Sequence, residues 1–247
     1  MSGAPWRRCL LRRVRTDRLI KVPATVIGIA AFFVAYFWVM SHPAPGSVLR
    51  EVPPLAFDHW IRVSEWALVP YGSLWVYIAI GPALAGDRAE LRSYACGAVA
   101  LSLLGLGVFW GFPTAVPPFD VDTHRYPMLA FLKTRDGRAN AFPSMHVAFA
   151  TYTAAVLAAQ LRVCRAPRAW RAANVLWAVL IAYSSLATRQ HVVLDALAGL
   201  VLGGLVFLPL RALRRPCECP DARRNEPPAY CAHAQRPVRT CPRCSRR

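Results

Sequence analysis

Two short segments of this 247-residue chain carry side chains able to do chemistry together. The first reads Arg189-Gln190-His191-Val192-Val193-Leu194-Asp195. His191 and Asp195 stand four apart and share one face of a helix. In that arrangement the carboxylate accepts a hydrogen bond from one ring nitrogen and leaves the other free to act as a nucleophile. The second segment reads Asn140-Ala141-Phe142-Pro143-Ser144-Met145-His146. Pro143 suits a first helical turn, where backbone donors are still unpaired. Free N–H groups and the positive end of the helix dipole there favour an anion such as phosphate. Each histidine alone has a plainer reading, as a polar anchor where an apolar helix ends. Asp195 is harder to dismiss, because a carboxylate inside an apolar span costs about 2.5 to 3.5 kcal/mol even on the lenient insertion scale.

The elements that must position these groups are apolar helices. Residues are 55% hydrophobic and 17% charged, with 30 Lys and Arg against 13 Asp and Glu, a net +17. Hydrophobicity this high excludes disorder over most of the chain, and so little polar surface argues against a nucleic-acid-binding domain. Apolar runs fall at 22–40, 66–85, 93–111, 142–161, 172–187 and 192–210, each near the length a helix needs to cross a bilayer. The sequence thus predicts an all-α, six-span transmembrane helical bundle. Its parts are a basic N-terminal segment at 1–21, a membrane domain at 22–210 and a basic, cysteine-containing tail at 211–247 that is expected to be disordered.

Charge sets the expected orientation. Arg50, Arg62, Arg125, Lys133, Arg135, Arg138 and Arg189 fall on one side with as many acidic residues, and the whole positive excess falls on the other. Both termini are therefore expected in the cytoplasm of a multi-pass cell-membrane protein, with the histidines at the extracytoplasmic ends of spans four and six. A cleaved signal peptide competes for the N-terminal run, but that run is long for a signal core and SHPAPG is a poor cleavage site. The outer segment 112–142 is long, proline-rich and mixed in charge. Segments of that kind are often functional, though a plain connecting flap fits the same composition. Gly199 and Gly203, at small-xxx-small spacing, favour close packing that draws span six toward span four.

FPSMH followed some 45 positions later by RQHVVLD resembles the second and third motifs of the type 2 phosphatidic acid phosphatase superfamily. Pro-Ser-x-His, a basic residue two before the second histidine, and PTAVPP from Pro113 to Pro118 are most similar to its inositol phosphorylceramide synthase-like branch. The similarity covers about residues 65–208. Carried over, the resemblance implies that His191 is the nucleophile and forms a phosphohistidine. It implies that Asp195 orients His191, and that His146 protonates the leaving oxygen and then activates the incoming water or alcohol. It also implies that Ser144 and nearby amides hold the phosphoryl oxygens, with no metal or cofactor. The substrate class it implies is a lipid phosphate in the bilayer, with water or an alcohol such as inositol as acceptor. Two departures stand out. No Lys-x6-Arg-Pro first motif is present, and Ser185 occupies the place of the third motif's Arg. Arg189 is the expected replacement for one missing cation, and a loop cation such as Arg138 for the other.

The tail holds Cys217, Cys219, Cys231, Cys241, Cys244 and His233. Cys241-Pro242-Arg243-Cys244 has zinc-ligand spacing, while a disordered basic tail resting on anionic lipid is the other reading. Cys9, Cys96 and Cys164 read as ordinary single residues. A non-catalytic transporter or scaffold is the rival class, but transporters usually show internal repeats and polar mid-membrane helices, and neither is visible here.

Overall fold

Each of the six apolar stretches becomes helix, one of them in two pieces. The computed structural model describes residues 4–119, 125–135, 139–213, 230–231 and 236–237. The chain divides into two compact units, Met1–Leu210 and Arg211–Arg247.

In the first unit α1 (Pro5–Arg15) precedes α2 (Arg18–Ser41), and β1 (Arg50–Glu51) and α3 (Ala56–Trp60) follow. The second apolar stretch is split into α4 (Leu68–Gly72) and α5 (Leu74–Ala83). The break falls at Ser73, whose hydroxyl donates to the Pro70 carbonyl at 2.7 Å and so competes with the regular helical pattern. Then come α6 (Arg88–Gly111), β2 (Thr114–Ala115), α7 (Pro127–Arg135), α8 (Met145–Val163), α9 (Arg168–Ala187) and α10 (Val193–Leu213). The structure is thus all-α in character, with strands of only two residues. Among the described residues, α2 and α6 are long and apolar enough to cross a membrane by length and composition.

The outward helix faces are apolar. Val26, Ile27 and Val34 of α2, Leu103 of α6, Val175 and Leu176 of α9, and Leu200, Val201 and Leu205 of α10 are all exposed. The interior mixes apolar packing with hydrogen-bonded polar groups. The Tyr77 hydroxyl donates to Asn174 Oδ1 at 2.7 Å, that of Tyr94 to the Ile78 carbonyl at 2.9 Å, and Gln160 to the Gly81 carbonyl at 3.0 Å. An ordinary soluble bundle has the opposite pattern, with polar residues outward.

α8 lies at the centre, with Ala148, Tyr152, Thr153 and Val156 fully buried. Two close approaches fix it. Gly199 and Gly203 of α10 lie against the Ser144 and Ala148 carbonyls so tightly that a Cβ at either would run into backbone. This is the close packing expected of that pair. Gly105 of α6 leaves a notch filled by the Met145 thioether.

The outer segment differs from a bare flap. It contains α7, and β2 pairs in parallel with β1 in the register Arg50↔Thr114 and Glu51↔Ala115. Thr114 also bridges to Asn140, which carries the chain to the start of α8. Cys9 and Cys164, read as unpaired from the sequence, form a disulfide between α1 and the end of α8. A separation of 155 residues offers no spacing signal for such a pair. In the second unit, Tyr230–Cys231 pairs antiparallel with Arg236–Pro237, where the sequence predicted no structure. Cys217, Cys219, His233, Cys241 and Cys244, and with them the zinc reading, lie outside the described residues.

Candidate active site

α9 ends and α10 begins within a tight turn that presents His191. The Ser185 carbonyl accepts from the Gln190 and His191 amides, both at 3.1 Å, and closes the end of α9. Thus the residue standing where the family has an arginine holds the turn through its backbone. Arg189 has φ 57°, a left-handed conformation uncommon outside glycine, and this lets the chain reverse in so few residues.

The next helix has four N–H groups without helical acceptors. Two carboxylates serve them. Asp195, at the third position of α10, curls back so that Oδ2 accepts from the Val192 amide at 3.0 Å, as the acidic member of a capping box does. Asp58, from α3, accepts from the Val193 amide at 2.8 Å through Oδ1. Both carboxylates are shielded, with Asp195 0% and Asp58 1% exposed.

His191 is 5% exposed. Its Nδ1 lies 3.0 Å from the Ala141 carbonyl and 3.6 Å from Asp195 Oδ2. A carbonyl oxygen only accepts, so Nδ1 carries the proton and Nε2 of the neutral ring keeps its lone pair. In that tautomer Nε2 is the ring nitrogen without a proton, and the nearest acceptor to Nδ1 is the Ala141 carbonyl. The Ala141 carbonyl holds the ring, whereas Asp195 is too far for a hydrogen bond and is committed to the helix cap.

His146 comes from the first turn of α8. Ser144 caps that helix, with Oγ accepting from the Val147 amide at 3.3 Å and its own amide donating to the Asp195 carbonyl at 3.0 Å. Pro143, expected inside the first turn, instead precedes the cap. The Ser144 hydroxyl takes the cap because it can satisfy an orphan amide, which proline cannot do. The His146 ring stacks on Tyr71 at 4.1 Å with 20° between planes, and it lies 6.0 Å from the His191 ring, centre to centre. Trp75 stands edge-on at 6.3 Å. Asn140 donates to the Tyr36 hydroxyl on the same side of the bundle.

Arg189, expected as a free clamp for phosphate, is largely engaged elsewhere. Nη1 donates to the Asp58 carbonyl and Nη2 to that of Ile61, both at 2.7 Å, and the guanidinium sits 4.2 Å over Phe119. Burial pulls its pKa down, and the Asp58 carboxylate pushes it back up. Its Nε is buried without a hydrogen-bond partner, as are Gln190 Nε2 and Asp195 Oδ1. Arg138, the proposed loop cation, lies outside the described residues, and of Lys133 and Arg135 only the backbone is described. Asp58, Tyr71, Ala141 and Thr114, whose Oγ1 accepts from the Phe142 amide at 2.8 Å, were not singled out from the sequence. Asp58 and Tyr71 sit in ordinary-looking apolar surroundings, and Ala141 acts only through its carbonyl. The sequence gives no sign of these roles.

Two histidine rings face each other across the starts of two helices, each helix start rich in N–H donors, within a helical chain whose exterior is apolar. That arrangement, two imidazoles at helix starts in a mostly helical chain, is the geometry on which the class is read. Residues 93–217 match the PAP2 superfamily model, slightly more than half of the chain, and the protein belongs to that superfamily. Membership places it among phosphatases and phosphotransferases of lipid phosphates. No curated protein and no solved structure matches the chain significantly.

Proposed function

We propose that the protein is a six-span integral membrane enzyme that hydrolyses or transfers the phosphoryl group of a lipid-linked phosphate through a phosphohistidine at its extracytoplasmic face. The 6.0 Å approach of His146 to His191, with Nδ1 of His191 turned onto the Ala141 carbonyl, carries this reading. The Nε2 lone pair attacks phosphorus as the bond from phosphorus to the leaving oxygen breaks, and that oxygen takes the proton held by His146. In the second half His146 removes a proton from water, the hydroxide attacks phosphorus, and the P–N bond returns its electrons to Nε2.

The amides of Met145 and His146 belong to the first turn of α8 and have no helical acceptor. With the Ser144 hydroxyl proton they can receive the phosphoryl oxygens as charge builds on them. Nε of Arg189 and the loop cation Arg138 are the groups assigned to the remaining charge. The exposed apolar faces of α2, α6, α9 and α10 support embedding in a bilayer. The arginines around α1 and the α8–α9 turn support a cytoplasmic position for that end, whereas the Cys9–Cys164 disulfide there is a bond that a reducing compartment disfavours.

Transfer to an alcohol is the second reading, supported by Met145 at the place where phosphatases of the family have glycine. The test is to incubate the purified protein in EDTA with lipid phosphates and diphosphates, with and without inositol. Released phosphate is the outcome expected of a hydrolase, and a new phosphodiester is that of a transferase. His191→Ala abolishes both, along with an acid-labile radiolabel on the chain. Substantial turnover by that variant refutes the covalent step.

A further inference from the structure

Residues 55–61 precede the family-matched region, yet they grip the His191 turn on both sides. Asp58 Oδ1 accepts from the Val193 amide at 2.8 Å, just after the histidine. The Asp58 and Ile61 carbonyls accept from Nη1 and Nη2 of Arg189, just before it, both at 2.7 Å. The carboxylate itself is locked, because Oδ2 accepts from the Leu55 amide at 2.7 Å. Each oxygen thus serves one backbone donor, at a site 1% exposed where an unpaired donor has no water to turn to. The left-handed Arg189 is itself a strained conformation that survives only when its surroundings over-determine it, and these bonds do so.

We propose that Asp58 is a positioning residue for the nucleophile. By fixing Arg189 and Val193 together, it holds His191 so that Nδ1 stays on the Ala141 carbonyl and Nε2 stays aimed at phosphorus. The proposal rests on the phosphohistidine reading for its consequence in turnover, although the clasp itself is a matter of geometry. A misplacement near 1 Å at a reacting group costs on the order of 100-fold.

Asp58→Asn is the decisive variant. It keeps the shape but turns one acceptor into a donor that faces a backbone N–H. In the full-length protein, kcat is expected to fall about 100-fold, with KM for the lipid phosphate changed by less than about 3-fold and expression retained. The same substitution is then placed in a His191→Gly background supplied with free imidazole, where the nucleophile is no longer tethered to the turn. There the Asp58 effect is expected to vanish, and an equal loss in that background means a general structural defect and overturns the proposal. A 15N-histidine spectrum reads the clasp without turnover. The His191 Nδ1–H signal should be protected from exchange in the wild type and lose protection in Asp58→Asn. Unchanged kcat in an active enzyme, or unchanged protection, refutes the positioning role. Wild type without activity on any lipid phosphate refutes the functional reading while the spectrum still judges the clasp.

Discussion

The bundle carries buried charge at both ends, and the two ends treat it differently. Near α1, Lys21 directs its three ammonium hydrogens to three carbonyls, those of Arg13, Ala83 and Ala85, at 2.7, 3.2 and 2.6 Å. Arg13 pairs with Glu90 at 2.8 Å and also donates to the Leu84 carbonyl, while Glu90 accepts from the Gly86 amide. At the other end Arg189 Nε, Gln190 Nε2 and Asp195 Oδ1 are buried without partners within seven residues of chain. Isolated orphan atoms also occur at Ser47, Gln160 and Arg171, but among the described residues only the turn around His191 gathers three. Native proteins pair nearly all buried polar atoms, so a cluster of exceptions marks a place kept ready for something else. At the α1 end the charged groups pair with one another and with carbonyls; in the His191 turn the buried orphan atoms cluster.

The contrast is broken most directly at His191. His191→Ala should lower turnover by on the order of 10⁴-fold or more while costing only about 1 to 3 kcal/mol of stability, the penalty of leaving the buried Ala141 carbonyl without its partner. Turnover and thermal unfolding on the same preparation check both halves. Arg13→Ala should do the reverse. It strands Glu90 in a largely buried setting and should cost about 3 kcal/mol, while kcat per folded molecule stays at the wild-type value. A collapse of kcat in the folded fraction would mean that the two ends are not separate.

The scaffold between them is tested at its notches. Gly105→Ala should displace the Met145 thioether and cost about 2 kcal/mol, and adding Met145→Ala should recover part of that loss as a coupled pair does. Gly204 has open space around its Cα, so Gly204→Ala serves as the neutral control. Ser144→Ala should cost about 1 kcal/mol through the lost helix cap. A fall in kcat well beyond that, measured at a temperature where the variant is fully folded, assigns the hydroxyl a second duty toward the phosphoryl oxygens.

What the sequence revealed depended on what a linear reading can see. Apolar run length located all six helical stretches, because burial or bilayer contact leaves a compositional mark along the chain. The pairing of His146 with His191 was also legible, since each stands at the start of an apolar run. Spacing brought Asp195 to within 3.6 Å of the His191 ring but could not show its nearer partner. Four residues put it on the same face as His191, but its place in the first turn of α10 gives its carboxylate a nearer donor in the Val192 amide. Asp58 was invisible because its partner Val193 is 135 positions away and offers only a backbone N–H. The same holds for Ala141, whose contribution is a carbonyl that every residue possesses.

The disulfide between Cys9 and Cys164 turns much of the chain into a covalent ring, with His146 inside it and His191 beyond it. A protease that nicks the outer segment between α7 and α8 would cut the polypeptide without releasing either piece. Such a protein should migrate as one band without reductant and as two with it, one carrying His146 and His191, the other carrying Asp58.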